Sequence, residues 1–439
     1  PYNKRIFYRV KILFINMPIR ANALPNLIPT GPGILCSHLM RHNIDVDFWD
    51  LNQYRPVLTN DEIKEQLEAK LCDVNLVMLS GLVTTHKAQK NISKMIKEIK
   101  QCVTIVAGGS CASSVPSLLL EKTDIDCVVI GEGEDAILEV VADYSQGNLK
   151  KYYDPKGLKL PLSEYPWPCW DIINMDVYLK NPFWGPGSGN LSTVTTLKQD
   201  RSANVIATRG CPFSCAYCYH QYTNYKTRTP HDVVNEIKAL KELYSIEFFG
   251  LVDDNAMIDL KWLIQFCEEV KTVNIKWGCH GRADSAKPEI LAMMHEAGCE
   301  YIGYGAESGS QEQLDRMNKK QKIKTMVDAI WNSREAGIYP NCTFIFGFPG
   351  ENLKTLKETS FFMKETQTSN KLFWATPFPK TELFHSVYKD GRIIGPWEEF
   401  ELEEYIELLG DAQDYTINLT QWPKETAMQL KEACERGVL

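Results

Sequence analysis

The stretch RGCPFSCAYCYH, residues 209–220, decides how the rest of the chain is interpreted. It contains Cys211, Cys215 and Cys218, a Cys-x3-Cys-x2-Cys spacing tight enough for three thiolates to meet one inorganic centre. Iron–sulfur clusters are usually held by four cysteine thiolates. Three ligands on a [4Fe–4S] cluster leave one iron open, and an open iron can bind and reduce a substrate. A structural zinc site closed by His220 is the alternative.

This stretch resembles the cluster-binding loop of the radical S-adenosylmethionine (SAM) enzymes. Tyr217, before the last cysteine, is aromatic, as that family prefers. The resemblance implies that Cys211, Cys215 and Cys218 are the metal ligands and the catalytic residues, and that Tyr217 belongs to the cofactor site. It also implies that SAM binds at the open iron. Because such a cluster is oxygen-sensitive, the enzyme is expected to work anaerobically.

The composition is that of an ordinary globular protein, with 439 residues, 44% of them hydrophobic and 24% charged, which predicts two or three domains. A net charge of −8 argues against a nucleic-acid-binding surface, which needs clustered Lys and Arg. Lys319, Lys320, Lys322 and Lys324 are interpreted as a solvated helix end. No run approaches the roughly 18 consecutive apolar residues of a membrane span, and no signal peptide is recognised. We therefore expect a cytoplasmic protein with no membrane span.

The 14 cysteines are scattered along the chain, which favours free thiols in a reducing compartment over disulfides. Three of them are assigned to the cluster. Most of the others lie in or beside apolar runs, as small core residues do. Cys279 and Cys342 fall on predicted strands, where they are either packed core thiols or close to a substrate.

Short apolar runs alternate with helical periodicity from Lys11 to Tyr144, which predicts a parallel α/β sheet. Helices such as residues 86–100 fit between the runs. This rhythm favours a flavodoxin-like, doubly wound fold, whose ligands bind beyond the carboxyl ends of the strands. The predicted strands are KILFIN (11–16), VDFWD (46–50), NLVMLSG (75–81), VTIVAGG (103–109) and CVVIG (127–131).

The carboxyl ends of these strands carry glycines, which let the backbone approach a ligand, and hydroxyl groups that can bind amide or phosphate oxygens. The order and the sequences of these strand ends resemble the cobalamin-binding domain that precedes the radical domain in one subclass of radical SAM enzymes. The alternative is a structural Rossmann-like domain with ordinary turn glycines. The resemblance assigns cobalamin contacts to Trp49, Asp50, Ser80, Leu82, Val83, Thr84, Thr85, Gly108, Gly109, Gly131, Glu132 and Gly133.

The Asp-x-His-x-x-Gly motif of other cobalamin proteins is missing, because none of the eight histidines has an Asp two positions before it. Cobalamin bound here is therefore expected to be base-off without a histidine from this motif, with residues 82–85 facing the cobalt. Cys111 stands where relatives often carry a histidine. A first domain that has lost cobalamin and serves as a scaffold is thus an open alternative.

Strand–helix alternation resumes at Ala203 and continues to Phe378, after a stretch rich in proline and aromatic residues. Trp167 and Trp170 in that stretch are interpreted as packing between domains. Six repeats suggest the partial (β/α)6 barrel of the radical SAM fold. The predicted strands are ANVIATRG (203–210), EFFGLVDD (247–254), IKWGCHGR (275–282), YIGYGAES (301–308), NCTFIFGF (341–348) and KLFWATPF (371–378).

The predicted domains are therefore a Rossmann-like cobalamin-binding domain (1–145), a linker (146–200), a radical SAM barrel (201–384) and a helical C-terminal tail (385–439). In barrels the chemistry lies at the carboxyl ends of the strands. By resemblance, the residues expected to contact SAM there are Asp253, Asp254, Asn255, Arg282, Glu307, Ser308 and Gly347. A strand-end cap or a surface salt bridge is the alternative for each. Lys380 replaces a glycine of relatives, as a solvated turn residue or a contact to an anionic substrate.

The resemblance implies a cobalamin-dependent radical SAM methyltransferase acting on an unactivated carbon or on phosphorus after a 5′-deoxyadenosyl radical abstracts hydrogen. Its expected cofactors are a [4Fe–4S] cluster, SAM and cobalamin. Its expected partners are a small-molecule or natural-product substrate and a reductase such as flavodoxin or ferredoxin. Oxidation, cyclisation or rearrangement without methyl transfer is the alternative within this architecture. An iron–sulfur or zinc sensor is the alternative outside it.

Overall fold

Two parallel sheets organise the chain, one in each of two compact units, residues 1–178 and 179–439. The computed structural model describes residues 10–181, 201–222, 224–368, 371–410 and 414–439. Residues 182–200, the second part of the predicted linker, lie outside the described residues. Within the described part of the chain, no helix is long and apolar enough to cross a membrane.

The first unit contains a six-stranded parallel sheet in the order β2-β1-β3-β4-β5-β6. Its first five strands confirm the predicted flavodoxin-like order, and the sixth extends the sheet. The strands are β1 (Lys11–Asn16), β2 (Asp45–Asp50), β3 (Leu76–Ser80), β4 (Thr104–Gly108), β5 (Cys127–Val129) and β6 (Tyr152–Tyr153). The helices are α1 (Thr30–Arg41), α2 (Asn60–Lys70), α3 (His86–Ile99), α4 (Gly109–Ser114), α5 (Pro116–Lys122), α6 (Glu134–Ser145) and α7 (Met175–Leu179). Short 3-10 turns are Leu51–Gln53, Val83–Thr85, Leu162–Glu164 and Trp170–Ile172.

The central strands of this sheet are apolar and buried in their middle parts, as expected for parallel strands covered by helices on both faces. Ile12, Phe14, Leu76 and Met78 are buried in one core with residues of α1 and α6. Helix α2 begins at a side-chain cap. Thr59 Oγ1 accepts a hydrogen bond from Glu62 N, and the Glu62 carboxylate accepts one from Thr59 N, so α2 starts with a complete capping box.

The second unit contains a six-stranded parallel sheet in the order β7-β10-β11-β12-β13-β14. This monotonic order is that of the predicted partial barrel. The strands of the unit are β7 (Ser202–Val205), β8 (Thr208–Arg209), β9 (Lys226–Thr227), β10 (Phe248–Leu251), β11 (Lys276–Gly281), β12 (Cys299–Glu307), β13 (Tyr339–Phe346), β14 (Leu372–Trp374), β15 (Tyr388–Lys389), β16 (Arg392–Ile394) and β17 (Glu399–Glu401). The helices are α8 (Pro230–Tyr244), α9 (Leu260–Val270), α10 (Pro288–Glu296), α11 (Gln311–Arg316), α12 (Ile323–Glu335), α13 (Leu353–Thr366), α14 (Glu382–Val387), α15 (Leu402–Leu408) and α16 (Lys424–Glu435), with 3-10 turns at Lys271–Val273 and Ala283–Ser285.

Two strand cysteines of the barrel face its helices. Trp277 packs against Phe266 of α9, and Cys279 lies two residues further along β11, on the same face. Cys342 pairs in register with Tyr304, whose hydroxyl lies 2.9 Å from Ser333 Oγ on α12. Side chains at paired positions share a face, so the structure favours the packed-core interpretation of both thiols.

The structure has strands at two places where a linker and a helical tail are predicted, while the predicted domain bounds stay a prediction. Tyr152–Tyr153 pairs with β5, so the region interpreted as the start of the linker adds a strand to the first sheet. The tail adds an antiparallel sheet of β15, β16 and β17 to its helices. There Arg392 is paired with Glu399 and Glu401 across the strands, so this part of the tail, which was predicted to be helical, forms strands. The packing predicted for Trp167 and Trp170 stays a prediction.

Candidate cofactor sites

The three cysteines lie in a loop that leaves β8 and returns at β9. The two strands pair antiparallel, with Thr208 opposite Thr227, and so close the base of the loop. Gly210 has a φ of +80°, and a Cβ there would lie 2.6 Å from the carbonyl oxygen of Asn224. Only glycine therefore allows the turn that enters the loop.

The middle of this loop is fixed by backbone bonds to two other segments. Ala216 N donates to Met317 O at 2.9 Å, and Ala216 O accepts from Leu383 N at 2.7 Å. Asn318 Nδ2 also donates to Ser214 O at 2.7 Å. The loop between the second and third cysteines is thus positioned by the protein itself.

The thiols of this loop are half-buried, and burial raises the pKa of Cys211 and raises the pKa of Cys218 to about 12. Thiolates are the form that binds metal. The positive charge of bound iron would therefore keep these sulfurs deprotonated. Within the described ranges, no group of three or more His, Cys, Asp or Glu side chains is placed to hold one metal ion. A [4Fe–4S] cluster binds each cysteine at a different iron, so its three thiolates do not have to meet at a point.

Arg282 joins the cysteine loop to the segment after α11. Its guanidinium lies 3.8 Å from the centre of the Phe213 ring, and Nη1 is 4.0 Å from Cys215 Sγ. Nη2 donates to Lys319 O at 2.8 Å, and Asp284 pairs with the same guanidinium. The predicted contact between Arg282 and SAM stays a prediction beside this bracing role.

A buried ion pair lies next to the cysteine loop. Lys319 Nζ is 3.1 Å from Glu307 Oε1 and 3.2 Å from Tyr217 Oη, and Lys319 is only 6% exposed. A Cβ on Gly305 would overlap the Glu307 carboxylate, so the glycine makes room for the pair. Burying two charges is costly unless each has partners, and strongly desolvated charge pairs are concentrated at functional sites.

The structure corrects the interpretation of Lys319 as a solvated residue. Asn318 and Lys320 both adopt left-handed backbone angles, with φ of 52° and 51°, and this turns Lys319 inward. Lys320, Lys322 and Lys324 are exposed, as predicted. No charge pattern distinguishes Lys319 from its neighbours, so the sequence analysis missed it.

The strand-end residues Asp253, Asp254 and Asn255 are not equivalent. Asp253 is buried, its Oδ1 accepts from Ala207 N at 2.9 Å, and burial raises its pKa to about 7. Asn255 Oδ1 accepts from Met257 N at 3.1 Å. Asp254 is exposed. Two of the three side chains therefore brace the backbone, and the predicted contacts of all three to SAM stay predictions.

Ser308 and Gly347 lie at the ends of the next strands of the barrel. Ser308 Oγ is 2.9 Å from Thr359 Oγ1 on α13. Gly347 has a φ of +81°, and its N–H donates to Glu351 Oε2 at 2.5 Å. Burial raises the pKa of Glu351 to about 8. Glu351 thus closes the turn after β13, while the roles predicted for Ser308 and Gly347 stay predictions.

The first unit contains a cavity of about 230 Å³ at the point where the strand order reverses between β1 and β3. Ser80, Leu82 and Gly109, three of the predicted cobalamin contacts, lie in its wall. The rest of the lining was not predicted, because most of it comes from residues 16–32, which span the end of β1, the segment that follows and the start of α1. These further residues are Asn16, Met17, Ile19, Leu27, Ile28, Pro29, Thr30, Gly31, Pro32, Asn52, Gly81 and Ser110.

The other predicted cobalamin contacts lie outside the lining of this cavity. Both carboxylate oxygens of Asp50 accept hydrogen bonds from protein groups. Cys111 is fully buried, and its N–H donates to Gly81 O at 3.1 Å. A Cβ on Gly108 would meet no atom within 4 Å, so its backbone is open to a ligand. All of the predicted cobalamin contacts stay predictions, both the three in the lining and those outside it: Trp49, Asp50, Val83, Thr84, Thr85, Gly108, Gly131, Glu132 and Gly133.

Two family profiles match separate parts of the chain. The profile of the Radical SAM superfamily matches residues 205–363, which include the cysteine loop and the Glu307–Lys319 pair. The profile of the B12 binding domain matches residues 18–141, which include most of the cavity lining. These matches give the zinc and sensor alternatives no support.

Curated relatives include two kinds of enzyme. The anaerobic magnesium-protoporphyrin IX monomethyl ester cyclase of Rubrivivax gelatinosus is 28% identical over 377 residues, which cover 79% of this chain and 64% of the cyclase. This chain thus spans less than two thirds of that relative's length. An uncharacterized methyltransferase of Pyrococcus horikoshii is 26% identical over 402 residues, covering 85% of this chain and 82% of that protein.

Among solved structures, the radical SAM methyltransferase TsrM of Kitasatospora setae, with tryptophan substrate and the SAM analogue aza-SAM bound, is similar to this chain with a TM-score of 0.74. The match covers 98% of this chain and 89% of TsrM at 15% identity. At this identity the likeness concerns the fold alone.

Proposed function

Because the chain belongs to the radical SAM enzymes that carry a B12-binding domain, we propose that it is a cobalamin-dependent methyltransferase. Its substrate carries an unactivated carbon or phosphorus, and hydrogen abstraction precedes methyl transfer. One observation carries the proposal: a fixed three-cysteine loop and a cavity at the switch point of a B12-binding sheet occur in one chain. The methyltransferase relative also matches over most of both chains.

The cysteine loop fits a [4Fe–4S] cluster with SAM at its open iron. Cys211, Cys215 and Cys218 would hold the cluster, and the bonds at Ala216 would keep their spacing before it is bound. When bound, the cluster supplies the electron for SAM cleavage, and cobalamin carries the methyl group. The protein contributes binding, orientation and exclusion of water.

The Glu307–Lys319 pair fits the zwitterionic methionine part of SAM. The carboxylate of Glu307 suits the SAM ammonium, and the ammonium of Lys319 suits the SAM carboxylate. Both side chains are nearly buried, with side-chain exposures of 10% and 7%, so their interactions with a ligand would be little screened. Tyr217, bonded to Lys319, would connect this pair to the cysteine loop.

The cavity of the first unit fits part of cobalamin. Its volume of about 230 Å³ is below the roughly 300–1,000 Å³ of pockets that enclose a drug-sized ligand. We therefore assign it to the aromatic base of the nucleotide tail, with the corrin outside it. Ser80, Leu82 and Gly109 would line it from the sheet side. A Cβ on Gly31 would meet no atom within 4 Å, which leaves space for the tail beside α1.

The test uses anaerobically reconstituted protein with hydroxocobalamin, SAM and a chemical reductant. We expect about one corrin retained per chain, with both 5′-deoxyadenosine and S-adenosylhomocysteine formed. Cys215→Ala should lose 5′-deoxyadenosine because one cluster ligand is removed. Protein that retains no corrin, or forms no S-adenosylhomocysteine while corrin is bound and reduced, would contradict the methyltransferase proposal.

The cyclase relatives favour a second candidate, a radical reaction without methyl transfer. This candidate predicts 5′-deoxyadenosine with bound corrin but no S-adenosylhomocysteine. The mass of the product distinguishes the two candidates when a substrate is found, because methylation adds one carbon unit.

A further inference from the structure

We propose that Arg55 is a positioning residue for the cavity of the first unit. It holds the segment 19–23, whose first residue, Ile19, lines the cavity, in its binding conformation before a ligand arrives. The nature of the ligand, a corrin with its nucleotide tail, rests on the proposed function. The clamp itself rests only on the contacts that follow.

Arg55 binds the backbone of this segment at both ends. Its Nη2 donates to Ile19 O at 2.8 Å, and its Nε donates to Ala23 O at 2.5 Å. The same guanidinium also binds the backbone just before it in the chain. Its Nη1 donates to Asn52 O at 2.9 Å and to Tyr54 O at 2.7 Å. A planar guanidinium presents five donors in a fixed fork, which a lysine cannot reproduce.

Asn52 also binds this segment and contacts Arg55 directly. Its Oδ1 accepts from Ile19 N at 2.9 Å and from Arg55 Nη2 at 3.2 Å. Ile19 is thus held at both its N–H and its carbonyl group, and Ile19 and Asn52 both line the cavity. The side chains that fix Ile19 therefore also fix one wall of the cavity.

Asp50 anchors Asn52 in turn. Asp50 Oδ1 accepts from Asn52 N at 3.0 Å and from Asn16 Nδ2 at 2.8 Å. The hydroxyl of Tyr178 donates to the other oxygen of Asp50 and accepts from Asn52 Nδ2 at 3.3 Å. The chain from Tyr178 through Asp50 and Asn52 to Arg55 is continuous and within the first unit. It gives Asp50 a positioning role, while its contact with cobalamin stays a prediction.

Most of the segment is exposed to solvent. Arg20, Ala21, Asn22 and Leu24 are exposed, and Arg20 has a left-handed φ of 48°. Exposed loops with few apolar contacts open at low free energy. Loss of the guanidinium should therefore loosen the segment without unfolding the sheet, and the ligand would have to order it on binding.

The experiment compares the wild-type chain with Arg55→Lys and Arg55→Gln, using hydroxocobalamin as the probe. We expect each variant to raise the dissociation constant for hydroxocobalamin about tenfold, because the bonds from the guanidinium to the segment are lost. The constant is measured by absorbance titration. We expect trypsin to cleave after Arg20 about tenfold faster without cobalamin, because opening becomes easier. Cleavage after Lys97, within α3, should stay slow if the unit remains folded.

Arg41→Lys is the matched control. Arg41 lies in the same unit, donates to Glu164 O at 2.9 Å and is not in the cavity wall. The Arg41→Lys variant should keep the hydroxocobalamin dissociation constant and the rate of cleavage after Arg20 within about twofold of wild type, because Arg41 orders no part of the cavity wall. Wild-type affinity and wild-type cleavage after Arg20 in both Arg55 variants would overturn the clamp. If the wild-type chain itself retains no hydroxocobalamin, the cofactor assignment falls instead, and the cleavage rates still decide on the clamp.

Discussion

At the scale of single residues, Glu307 combines three unusual features at one position. It has a left-handed φ of 63°, it is buried, and it is paired with Lys319. A non-glycine residue in this region costs about 1–3 kcal/mol and persists where the surroundings enforce it, often at functional sites. The strain and the desolvated charge together support the proposal that Glu307 binds a ligand.

Glu307→Gln should weaken SAM binding at least about tenfold, because the ligand ammonium loses a charged acceptor, while iron content stays unchanged. SAM affinity is measured by anaerobic equilibrium dialysis, and iron by chemical assay. Glu312→Gln is the control, since Glu312 is exposed on α11.

The double variant Glu307→Gln with Lys319→Met separates binding from stability. The single variant leaves Lys319 buried without its charged partner, which costs about 3–5 kcal/mol. Removing both charges should restore the melting temperature but not the SAM affinity. Wild-type SAM affinity in the double variant would refute the assignment of this pair.

Lys380 offers a second test at this scale. It is exposed and has a φ of 71° where relatives of the resembled family carry glycine. Lys380→Gly should raise the free energy of unfolding by about 1 kcal/mol, because the Cβ penalty of this conformation is removed. Lys380→Ala retains a Cβ and should not stabilise the protein. Urea denaturation measures both variants.

At the scale of elements, the turn after β13 is closed by a carboxyl group that favours protonation. The folded pKa of Glu351 is about 8, above its usual value near 4.5. A raised pKa means that the folded state binds the proton more tightly than the unfolded state. The resulting stability is complete below the usual pKa and is lost as pH rises toward 8.

Glu351→Gln should therefore reduce the fall in melting temperature between pH 5.5 and pH 8, because glutamine remains neutral and can still accept from Gly347 N. Glu404→Gln, at an exposed position on α15, should show the wild-type pH dependence. An unchanged pH dependence in Glu351→Gln would show that this carboxyl group is ionised throughout the range.

Strands were predictable from the sequence where apolar runs are long and bounded by turn residues. Lys11–Asn16 was predicted to the residue, and the order of both main sheets followed from the repeat of strand and helix. The small sheet at β15–β17 was not predicted, because its strands of two or three residues carry charges that also suit a helix. The position of Lys319 was equally hidden, since its inward turn depends on backbone angles at its neighbours.

At the scale of the molecule, each unit has its own sheet, and the two proposed cofactor sites lie in different units. Cys215→Ala should therefore lose iron and SAM cleavage but still retain hydroxocobalamin. Gly109→Ala should lose hydroxocobalamin but keep iron, because Gly109 has a φ of +83° and a Cβ there would lie 2.7 Å from Gly81 O.

Iron content and corrin absorbance, measured on the same reconstituted samples, test this separation. Gly147→Ala is a useful control in the first unit. Gly147 also has a positive φ, but a Cβ there meets no atom within 4 Å and the residue lies far along the chain from the cavity lining. Loss of both cofactors in either test variant would show that the sites depend on each other.

The two-sided bonding of Ala216 has a consequence for how such a chain can evolve. Its side chain is a buried methyl group, and its backbone N–H and carbonyl group make the two bonds that hold the loop. An inserted or deleted residue between Cys215 and Cys218 would shift the backbone out of register with Met317 and Leu383 together. The number of residues between Cys215 and Cys218 is therefore constrained by the backbone bonds of Ala216 as well as by the cluster.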